Sequence, residues 1–324
     1  MSNILITSAG RRVSLVKAFQ AELKKHLSDN SAVFCTDVKP ELSAACNVSD
    51  KYYRVPPATN DNYIDSLLDI SLANNVKVIV PTIDTELKIL AQNKNRFLEN
   101  GIICLCPDLD FVNICRDKRL TNEFFITRNI EVPQEYTRDN YRFPLFIKPF
   151  DGSSSKNIHI INNLKDLSED LLKNPDLMFL EYITPGKFDE YTLDIYYNRN
   201  SKICCIVPRL RIEIRTGEIS KGITLKNSLI TFIKEKLDNI SSIVGCITLQ
   251  LFADKDISQV FGIEINPRFG GGYPLSYNAG ANFPSFIIRE YILDEEISYT
   301  EDWQENMLML RYDDEIIINN FSPK

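Results

Sequence analysis

The sequence predicts an α/β amino-terminal part followed by an α+β part built on antiparallel sheets. Before residue 107, short apolar strands alternate with amphipathic helical segments, which is typical of a parallel sheet with helices on both faces. From Pro144 onward, strand-like segments follow one another with few helices between them, which favours antiparallel pairing. A chain of 324 residues is long enough for two or three packed units.

The amino-terminal part opens with a βα unit. Residues 3–8, NILITS, are predicted to form a buried strand that ends at Ala9 and Gly10, and apolar residues then recur at helical spacing. The pattern breaks at 107–117, so we expect the first domain to comprise residues 1–112. Further strands are predicted at 32–36, 77–81 and 102–106, and helices at 63–74, 86–99 and 118–128.

The second part contains more strands than helices. We expect it to divide into domains of residues 113–184 and 185–324, because Pro185-Gly186 strongly interrupts local structure. Its helices are predicted at 164–173, 228–239 and 284–292. Its strands are predicted at 143–149, 157–161, 177–183, 190–198, 202–215, 245–254 and 260–269.

Composition and charge exclude several classes of partner and of metal site. The formal net charge is −7 with a pI near 5.1 and no long run of like charge, so we expect neither nucleic acid nor an anionic membrane as a partner. The amino-terminal segment resembles no signal peptide and no stretch of about 18 apolar residues occurs, which predicts a cytoplasmic protein. The eight cysteines form no C-x-x-C pair and only two histidines occur, so reduced, buried thiols are a better interpretation than a zinc site.

Familiar nucleotide motifs are missing, but one segment has the composition of a phosphate loop. The first βα turn, SAGRR, supplies only Gly10 where a dinucleotide fingerprint needs three glycines, and no Walker A loop occurs. In FIKPFDGSSSKNIHII, Lys148 ends a strand and a turn rich in glycine and serine follows. Small residues let backbone N–H groups converge on an anion, and lysine adds a point charge. The alternative is a hairpin with a polar tip.

A second segment, VFGIEINPRFGGGYP, has the composition of a metal and phosphate site. Glu264 and Asn266 are two residues apart on one predicted strand, so they share a face, and Arg268 continues the row. Gln250 lies in the preceding strand. Carboxylate and amide oxygens are ligands that Mg²⁺ prefers. An exposed strand face is the alternative, but three consecutive glycines followed by Tyr-Pro favour a functional site.

A third segment, PRLRIEIR, alternates charged and apolar residues, which predicts a half-buried strand. Its charged face is either solvated or binds a phosphate or a substrate carboxylate, with Arg215 as the best candidate. The charged face consists of Arg209, Arg211, Glu213 and Arg215, and the apolar face of Leu210, Ile212 and Ile214.

Together these segments resemble the ATP-grasp superfamily, and the chain looks like a short relative of the carbamoyl-phosphate synthase large subunit. The resemblance covers essentially the whole chain. It implies a Rossmann-like pre-ATP-grasp head followed by a two-lobed ATP-grasp body with antiparallel sheets. It rests on the order and spacing of Lys118, Lys148 with its serine-rich loop, the segment EYITPGKFDEYTLD, Gln250, and Glu264-Ile-Asn266-Pro-Arg268.

The resemblance implies an ATP site. Lys118 and Lys148 would contact the α- and β-phosphates, and the following loop would close over them. Adenine would lie against a hinge, and the ribose hydroxyls against Glu190. Asn157 stands where related loops carry glycine, and asparagine adopts left-handed backbone conformations more readily than other non-glycine residues. The loop comprises Gly152, Ser153, Ser154, Ser155 and Asn157, and the hinge Glu181, Tyr182 and Ile183.

The resemblance also implies a magnesium site. Gln250, Glu264 and Asn266 would bind one or two Mg²⁺ ions, for which Mn²⁺ can substitute. Arg268 and Arg215 would meet the γ-phosphate and the charge that develops there. The resemblance leaves the acceptor site open, and Glu86 begins a helix, where acidic residues are ordinarily favoured. The acceptor candidates are Gly10, Arg11, Arg12, Asp84, Glu86 and Asn282.

The function that the resemblance implies is ATP-dependent ligation of a carboxylate to an amine through an acyl phosphate. His159 is then structural, since phosphoryl transfer needs positioning and charge neutralisation and no protein nucleophile. The partners would be a small-molecule carboxylate and an amine, and a homodimer is compatible with this function. Two alternatives are carboxyphosphate and carbamate chemistry and a non-catalytic ATP-binding regulatory module. A nicotinamide-dependent oxidoreductase would need the glycine fingerprint that SAGRR lacks.

Overall fold

The computed structural model describes residues 2–27, 30–152, 157–215 and 217–322. The chain forms two compact units, of which the first comprises residues 1–106, 282–298 and 310–324 and the second residues 107–281 and 299–309. The predicted domains are residues 1–112, 113–184 and 185–324, whereas the amino-terminal part of the first compact unit ends at residue 106, this unit also contains two carboxyl-terminal segments, and the second unit holds most of the other two predicted domains. None of the helices in the described ranges has the length and apolarity that crossing a bilayer requires.

The described residues form helices and strands as follows. The helices are α1 (Val13–His26), α2 (Ala44–Val48), α3 (Tyr63–Ala73), α4 (Asp84–Gln92), α5 (Lys94–Leu98), α6 (Leu109–Arg116), α7 (Lys118–Thr127), α8 (Glu169–Lys173), α9 (Leu229–Leu237), α10 (Tyr273–Asn278) and α11 (Phe283–Tyr291). The strands are β1 (Asn3–Thr7), β2 (Val33–Asp37), β3 (Lys51–Arg54), β4 (Val76–Pro81), β5 (Ile103–Cys104), β6 (Glu135–Tyr136), β7 (Leu145–Pro149), β8 (His159–Ile161), β9 (Leu177–Glu181), β10 (Phe188–Tyr197), β11 (Ile203–Arg215), β12 (Glu218–Thr224), β13 (Gly245–Asp254), β14 (Val260–Asn266) and β15 (Leu308–Leu310).

The first unit is a parallel sheet with the strand order β3-β2-β1-β4-β5. β1 is buried along its whole length, with Ile4 opposite Val33 on one side and Val78 on the other. α1 buries an apolar face that includes Phe19 and Leu23, and α11 packs against α1. The predicted α/β head is therefore confirmed. The sequence patterns missed β3, which is a largely exposed edge strand without apolar alternation.

The second unit contains two antiparallel sheets, as the sequence predicts. The smaller has the order β6-β9-β7-β8, and its core includes Leu145, Ile147 and Phe179. The larger has the order β14-β13-β10-β11-β12-β15, in which the strands from β10 to β14 pair antiparallel. β10 lies inside this sheet and is buried from Tyr191 to Tyr197. The predicted α+β body is therefore confirmed.

β11 departs from the predicted half-buried alternation. Its first half is buried, whereas Ile212 and Ile214, which were expected on the buried face, are 53% and 46% exposed. β10 accompanies β11 only as far as Leu210, and beyond that point β11 pairs with β12 up to Arg215. From Ile212 to Arg215, β11 is therefore one strand of a two-stranded hairpin, which leaves both of its faces open to solvent.

One close approach fixes α7 on the larger sheet. Gly262 of β14 lies against the ring of Phe125, and a Cβ at this position would be 2.5 Å from the ring. Phe125 is fully buried, so its ring cannot move aside easily. Glycine is therefore required for α7, which begins at Lys118, to lie this close to the strand that carries Glu264 and Asn266.

Gly262→Ala is expected to destabilise the protein by about 1–3 kcal/mol, because the added methyl group overlaps the Phe125 ring. Chemical denaturation of the variant and the wild type measures the difference. The same substitution in a Phe125→Leu background should cost less, since the smaller side chain leaves room. An equal cost in both backgrounds would mean that Phe125 does not set the distance between α7 and β14.

Candidate active site

Lys118 lies at the entrance to the serine-rich loop. α7 begins at Lys118, directly after Asp117, whose carboxylate caps the helix. The backbone N–H of Lys118 donates to the carbonyl of Phe150 at 2.9 Å, and its ammonium donates to the carbonyl of Gly152 at 2.7 Å. Lys118 is therefore attached to the segment that leads into the loop. Ser153, Ser154 and Ser155 lie outside the described residues.

Asn157 lies at the far end of this loop and has a φ of +55°. This is the left-handed region, which glycine adopts without steric cost and which asparagine tolerates better than most residues. Asn157 therefore adopts the left-handed conformation that a glycine at this position of a related loop would adopt. His159, two residues further along, lies on β8 opposite Ile147 of β7.

Lys148 is a buried lysine on β7, with 8% of its surface exposed. Burial, together with the smaller effect of the Lys118 charge, lowers the pKa of its ammonium group to about 8 against the opposing effect of the Glu264 and Glu135 carboxylates. The ammonium group of Lys148 makes no hydrogen bond to any residue in the described ranges. A buried ammonium in these surroundings would be stabilised by a bound anion.

The candidate hinge follows β9. The backbone N–H of Glu181, the last residue of that strand, donates to the carbonyl of Gln134 at 2.8 Å. Tyr182 stacks on Phe146 with ring centroids 6.4 Å apart, and Ile183 is half-buried. Aromatic and aliphatic side chains of this kind are ones on which a flat heteroaromatic ring can pack.

Strand pairing places the candidate metal ligands side by side. Gln250 of β13 lies opposite Glu264 of β14, and Thr248 lies opposite Asn266. Directly opposite residues of an antiparallel pair share a face, so Gln250, Glu264 and Asn266 form one row of oxygen-bearing side chains.

Hydrogen bonds orient this row. The amide nitrogen of Gln250 donates to the carboxylate of Glu190, which also accepts from Arg211 Nη1 at 2.6 Å. Burial raises the pKa of the Glu190 carboxyl, and the charge of Arg211 opposes that rise. Because its nitrogen is engaged, the amide of Gln250 keeps its oxygen for a cation. The carboxylate of Glu264 makes no hydrogen bond to the part of the chain that the structure describes.

The donor set of this row fits a hard divalent cation. Within the described ranges, no three side chains of His, Cys, Asp or Glu gather into a metal-binding group. The row instead offers the carboxylate of Glu264 with the amide oxygens of Gln250 and Asn266, and Asn266 Oδ1 also accepts from Arg268 Nη2 at 3.1 Å. Mg²⁺ commonly binds through one or two carboxylates and completes its octahedron with water and phosphate oxygens. Such a set suits an ion that arrives together with a phosphate ligand.

The sequence indicates Arg215 as the arginine of β11 best suited to bind an anion, but in the structure Arg211 and Arg209 are the ones that lie among acidic side chains. Arg215 is exposed, in the part of β11 that extends beyond β10. Arg211 lies against Glu190 with 7% of its side chain exposed, and Arg209 forms a buried ion pair with Asp194 at 2.8 Å. The alternation of charged and apolar residues in PRLRIEIR predicts that Arg209 and Arg211 share a strand face. It does not predict which of the arginines pairs with an acidic residue. The signal for those partners is the spacing of Glu190 and Asp194 in EYTLD, which are four residues apart and therefore share a strand face.

Glu86 of the first unit has a local structural role. It is fully buried, accepts hydrogen bonds from the hydroxyls of Ser8 at 2.8 Å and Tyr63 at 2.6 Å, and accepts from the backbone N–H groups of Thr82 and Ile83. Burial raises the pKa of its carboxyl, and these four donors oppose the rise. Its position at the start of α4 is therefore accounted for without a ligand.

The other acceptor candidates also lie in the first unit. Asn282 caps α11 by accepting a hydrogen bond from the backbone N–H of Ser285 at 3.0 Å. Gly10 has a φ of +50°, and its N–H donates to Asp37 at 3.1 Å. Arg11 is exposed, Arg12 directly precedes α1, and Asp84 is the first residue of α4.

Family comparisons match two separate parts of the chain. Residues 4–105 match the family described as PylC-like, N-terminal domain. Residues 173–314 match the family described as ATP-grasp in the biosynthetic pathway with Ter operon. No curated protein matches the chain.

Solved structures share the fold. The biotin carboxylase domain of the 2-oxoglutarate carboxylase of Hydrogenobacter thermophilus, in complex with MgADP, ADP and bicarbonate, matches with a TM-score of 0.71 and 15% identity over 94% of this chain and 73% of that one. The N5-carboxyaminoimidazole synthetase of Staphylococcus aureus, complexed with ADP, matches with a TM-score of 0.69 and 18% identity over 92% and 78%. The N5-carboxyaminoimidazole ribonucleotide synthetase of Thermotoga maritima matches with a TM-score of 0.64 and 20% identity over 93% and 78%. Likeness at these identities establishes the fold alone.

The lowered pKa of Lys148 predicts a pH-dependent stability for the protein without nucleotide. The folded-state pKa of about 8 lies below the ordinary value of 10.5, so the unfolded chain binds more protons between these values and the free energy of unfolding should rise with pH across this window. Lys148→Met should remove the contribution of this group, on the order of 1–3 kcal/mol. Denaturation of both proteins at the two ends of the window measures it. The same rise in the variant would contradict the prediction.

Proposed function

We propose that the chain, which matches a PylC-like amino-terminal domain and an ATP-grasp family over two separate parts, is an ATP-dependent ligase that joins a carboxylate to an amine. The observation that carries this proposal is the row of Gln250, Glu264 and Asn266, whose carboxylate interacts electrostatically with the buried Lys148. Oxygen ligands for Mg²⁺ beside a cation for phosphate oxygens are what a bound ATP·Mg²⁺ requires.

We assign the nucleotide to the residues around this row. Lys118 and Lys148 bind oxygens of the α- and β-phosphates, next to Gly152, whose carbonyl accepts from the Lys118 ammonium. Adenine lies against the segment from Glu181 to Ile183, where Tyr182 already stacks on an aromatic neighbour. Glu190 accepts from the ribose hydroxyls in addition to orienting Gln250.

The terminal phosphate lies, in this proposal, at the end of the row. Glu264, Gln250 and Asn266 hold Mg²⁺, which neutralises charge on the phosphate oxygens when bound. Arg268 lies next in the row and stabilises the charge that develops during transfer. Arg215 lies opposite Glu218 in the hairpin of β11 and β12, and the carboxylate of Glu218 lies beside Gly271 in the loop that follows Arg268. Arg215 is therefore a second candidate for the terminal phosphate, and Arg211 is the arginine that lies against Glu190.

The proposed reaction has two steps. A carboxylate oxygen of the first substrate attacks the γ-phosphorus of ATP, the bond between this phosphorus and the bridging oxygen breaks, and ADP leaves. The amine then attacks the carbonyl carbon of the acyl phosphate, phosphate leaves, and the amine loses a proton. The protein supplies positioning and charge neutralisation, which are the main requirements of phosphoryl transfer.

Bicarbonate is a second candidate for the carboxylate. The Hydrogenobacter structure contains bicarbonate with MgADP and is described as a dimer, and two further structures with this fold are N5-carboxyaminoimidazole synthetases. With bicarbonate, the same first step would give carboxyphosphate and the second a carbamate. Because the Hydrogenobacter structure is a dimer, we also propose that this chain forms a homodimer.

A non-catalytic regulatory module is the remaining alternative, and it would bind ATP without hydrolysing it.

Release of ADP on addition of paired carboxylates and amines tests the function, with bicarbonate among the carboxylates. Once a pair responds, the carboxylate is labelled with ¹⁸O and the products are analysed by mass spectrometry. Attack on the γ-phosphate must leave one labelled oxygen in the released phosphate. Label found in AMP, or retained wholly in the organic product, would contradict the acyl-phosphate mechanism.

Glu264→Gln should weaken the Mg²⁺-dependent binding of a non-hydrolysable ATP analogue by about tenfold or more, because a charged metal ligand is lost. Calorimetry with and without Mg²⁺ measures this effect. Glu213→Gln is a matched control, since Glu213 lies in the same sheet but is exposed and paired with Lys221 at 2.6 Å. If Glu264→Gln behaves like Glu213→Gln, the metal site lies elsewhere.

A further inference from the structure

A buried ion pair lies beneath the loop that follows β14. Arg209 of β11 and Asp194 of β10 are 1% and 0% exposed, and two hydrogen bonds join them, from Nε to Oδ2 at 2.8 Å and from Nη2 to Oδ1 at 3.0 Å. The hydroxyl of Ser276, on α10, donates to Asp194 Oδ2 at 2.6 Å. A bidentate contact between arginine and a carboxylate has a fixed geometry. The pair therefore holds β10, β11 and α10 in one arrangement.

Thr248 connects this ion pair to the candidate site. Its hydroxyl lies 3.0 Å from the carbonyl oxygen of Arg268 and 3.3 Å from Asp194 Oδ1. A hydroxyl has one proton to donate, and the shorter contact favours the carbonyl. The backbone N–H of Arg268 in turn donates to the carbonyl of Asn266 at 2.8 Å. The backbone of Arg268 is therefore held from two sides.

Two of the glycines after Arg268 make this arrangement possible. A Cβ on Gly270 would lie 2.8 Å from Thr248 Oγ1, and a Cβ on Gly272 would lie 2.1 Å from Arg209 Nη1. Neither distance can accommodate a carbon atom, because non-bonded contacts to carbon are normally about 3.5–4.0 Å. The loop follows its path only because its backbone can lie directly against Thr248 and Arg209.

We infer that Thr248 is a positioning residue for the metal and phosphate site. By holding the carbonyl of Arg268 on β13, it fixes the backbone from which the Arg268 guanidinium extends, and that guanidinium is hydrogen-bonded to the Asn266 amide. Thr248 is 5% exposed, so it acts through these neighbours and not on the ligand. The inference rests on the proposed function, because it assigns Asn266 and Arg268 to the bound ATP·Mg²⁺.

Thr248→Val tests the inference, because it replaces the hydroxyl with a methyl group of similar size. The probe is adenylyl imidodiphosphate, a non-hydrolysable ATP analogue, bound in Mg²⁺ and in EDTA and measured by calorimetry. The variant should lose about threefold to tenfold of the Mg²⁺-dependent gain in affinity, which is the scale of one hydrogen bond. Its affinity in EDTA should be unchanged. Thr248→Ser, which keeps the hydroxyl, should restore the Mg²⁺ response.

Thr224→Val is the matched control. The hydroxyl of Thr224 is also in a buried residue of the same sheet, donates to the carbonyl of Gln304 at 2.8 Å and accepts from the N–H of Met307 at 3.0 Å. This variant should keep the full Mg²⁺ response. An unchanged response in Thr248→Val, or an equal loss in Thr224→Val, would overturn the inference. Wild-type protein that binds no nucleotide in either condition would overturn the proposed function, and the inference with it.

Discussion

The antiparallel register of β10, β13 and β14 is the constraint on which the site depends. Side chains alternate with a period of two, so a shift of one residue in the pairing of β13 with β14 would turn Glu264 away from Gln250. The register is held from the opposite face, where Leu249, Leu251 and Ile265 are fully buried or nearly so. Burial of these apolar side chains therefore orients the polar row, which could not hold the strands in register by itself.

Properties within one strand could be predicted from the sequence, whereas properties of strand pairing could not. Alternation placed Glu264 and Asn266 on one face, because it depends only on the local chain. The partners of Arg211 and Arg209 lie 21 and 15 residues earlier in the chain, and alternation does not specify which residues of two strands lie opposite. The exposure of Ile212 and Ile214 of β11 could not be predicted for the same reason, since it depends on where the neighbouring strand β10 ends.

The first unit illustrates a second limit of sequence patterns. The spacing of apolar residues predicts that α11 buries one face, but it does not identify α1 as the partner, so the return of residues 282–298 to the head was not predicted. Polar residues at helix starts are ambiguous in a similar way. Glu86 and Asn282 have the composition of ligand-binding residues, yet each satisfies backbone N–H groups at the start of a helix.

The close packing around the glycines at 270–272 limits which residues evolution can place there. A side chain at Gly270 would collide with Thr248 and one at Gly272 with Arg209, both of which are buried, whereas one at Gly271 would meet the carboxylate end of Glu218, which can move. At Gly270 and Gly272 evolutionary exchange is therefore limited by packing and not by chemistry, and in descendants of this chain these two positions should vary as little as the proposed metal ligands. Changes of substrate preference must then arise at neighbouring positions whose side chains face open space. Substrate preference can therefore change in evolution while the backbone of residues 270–272 keeps its conformation.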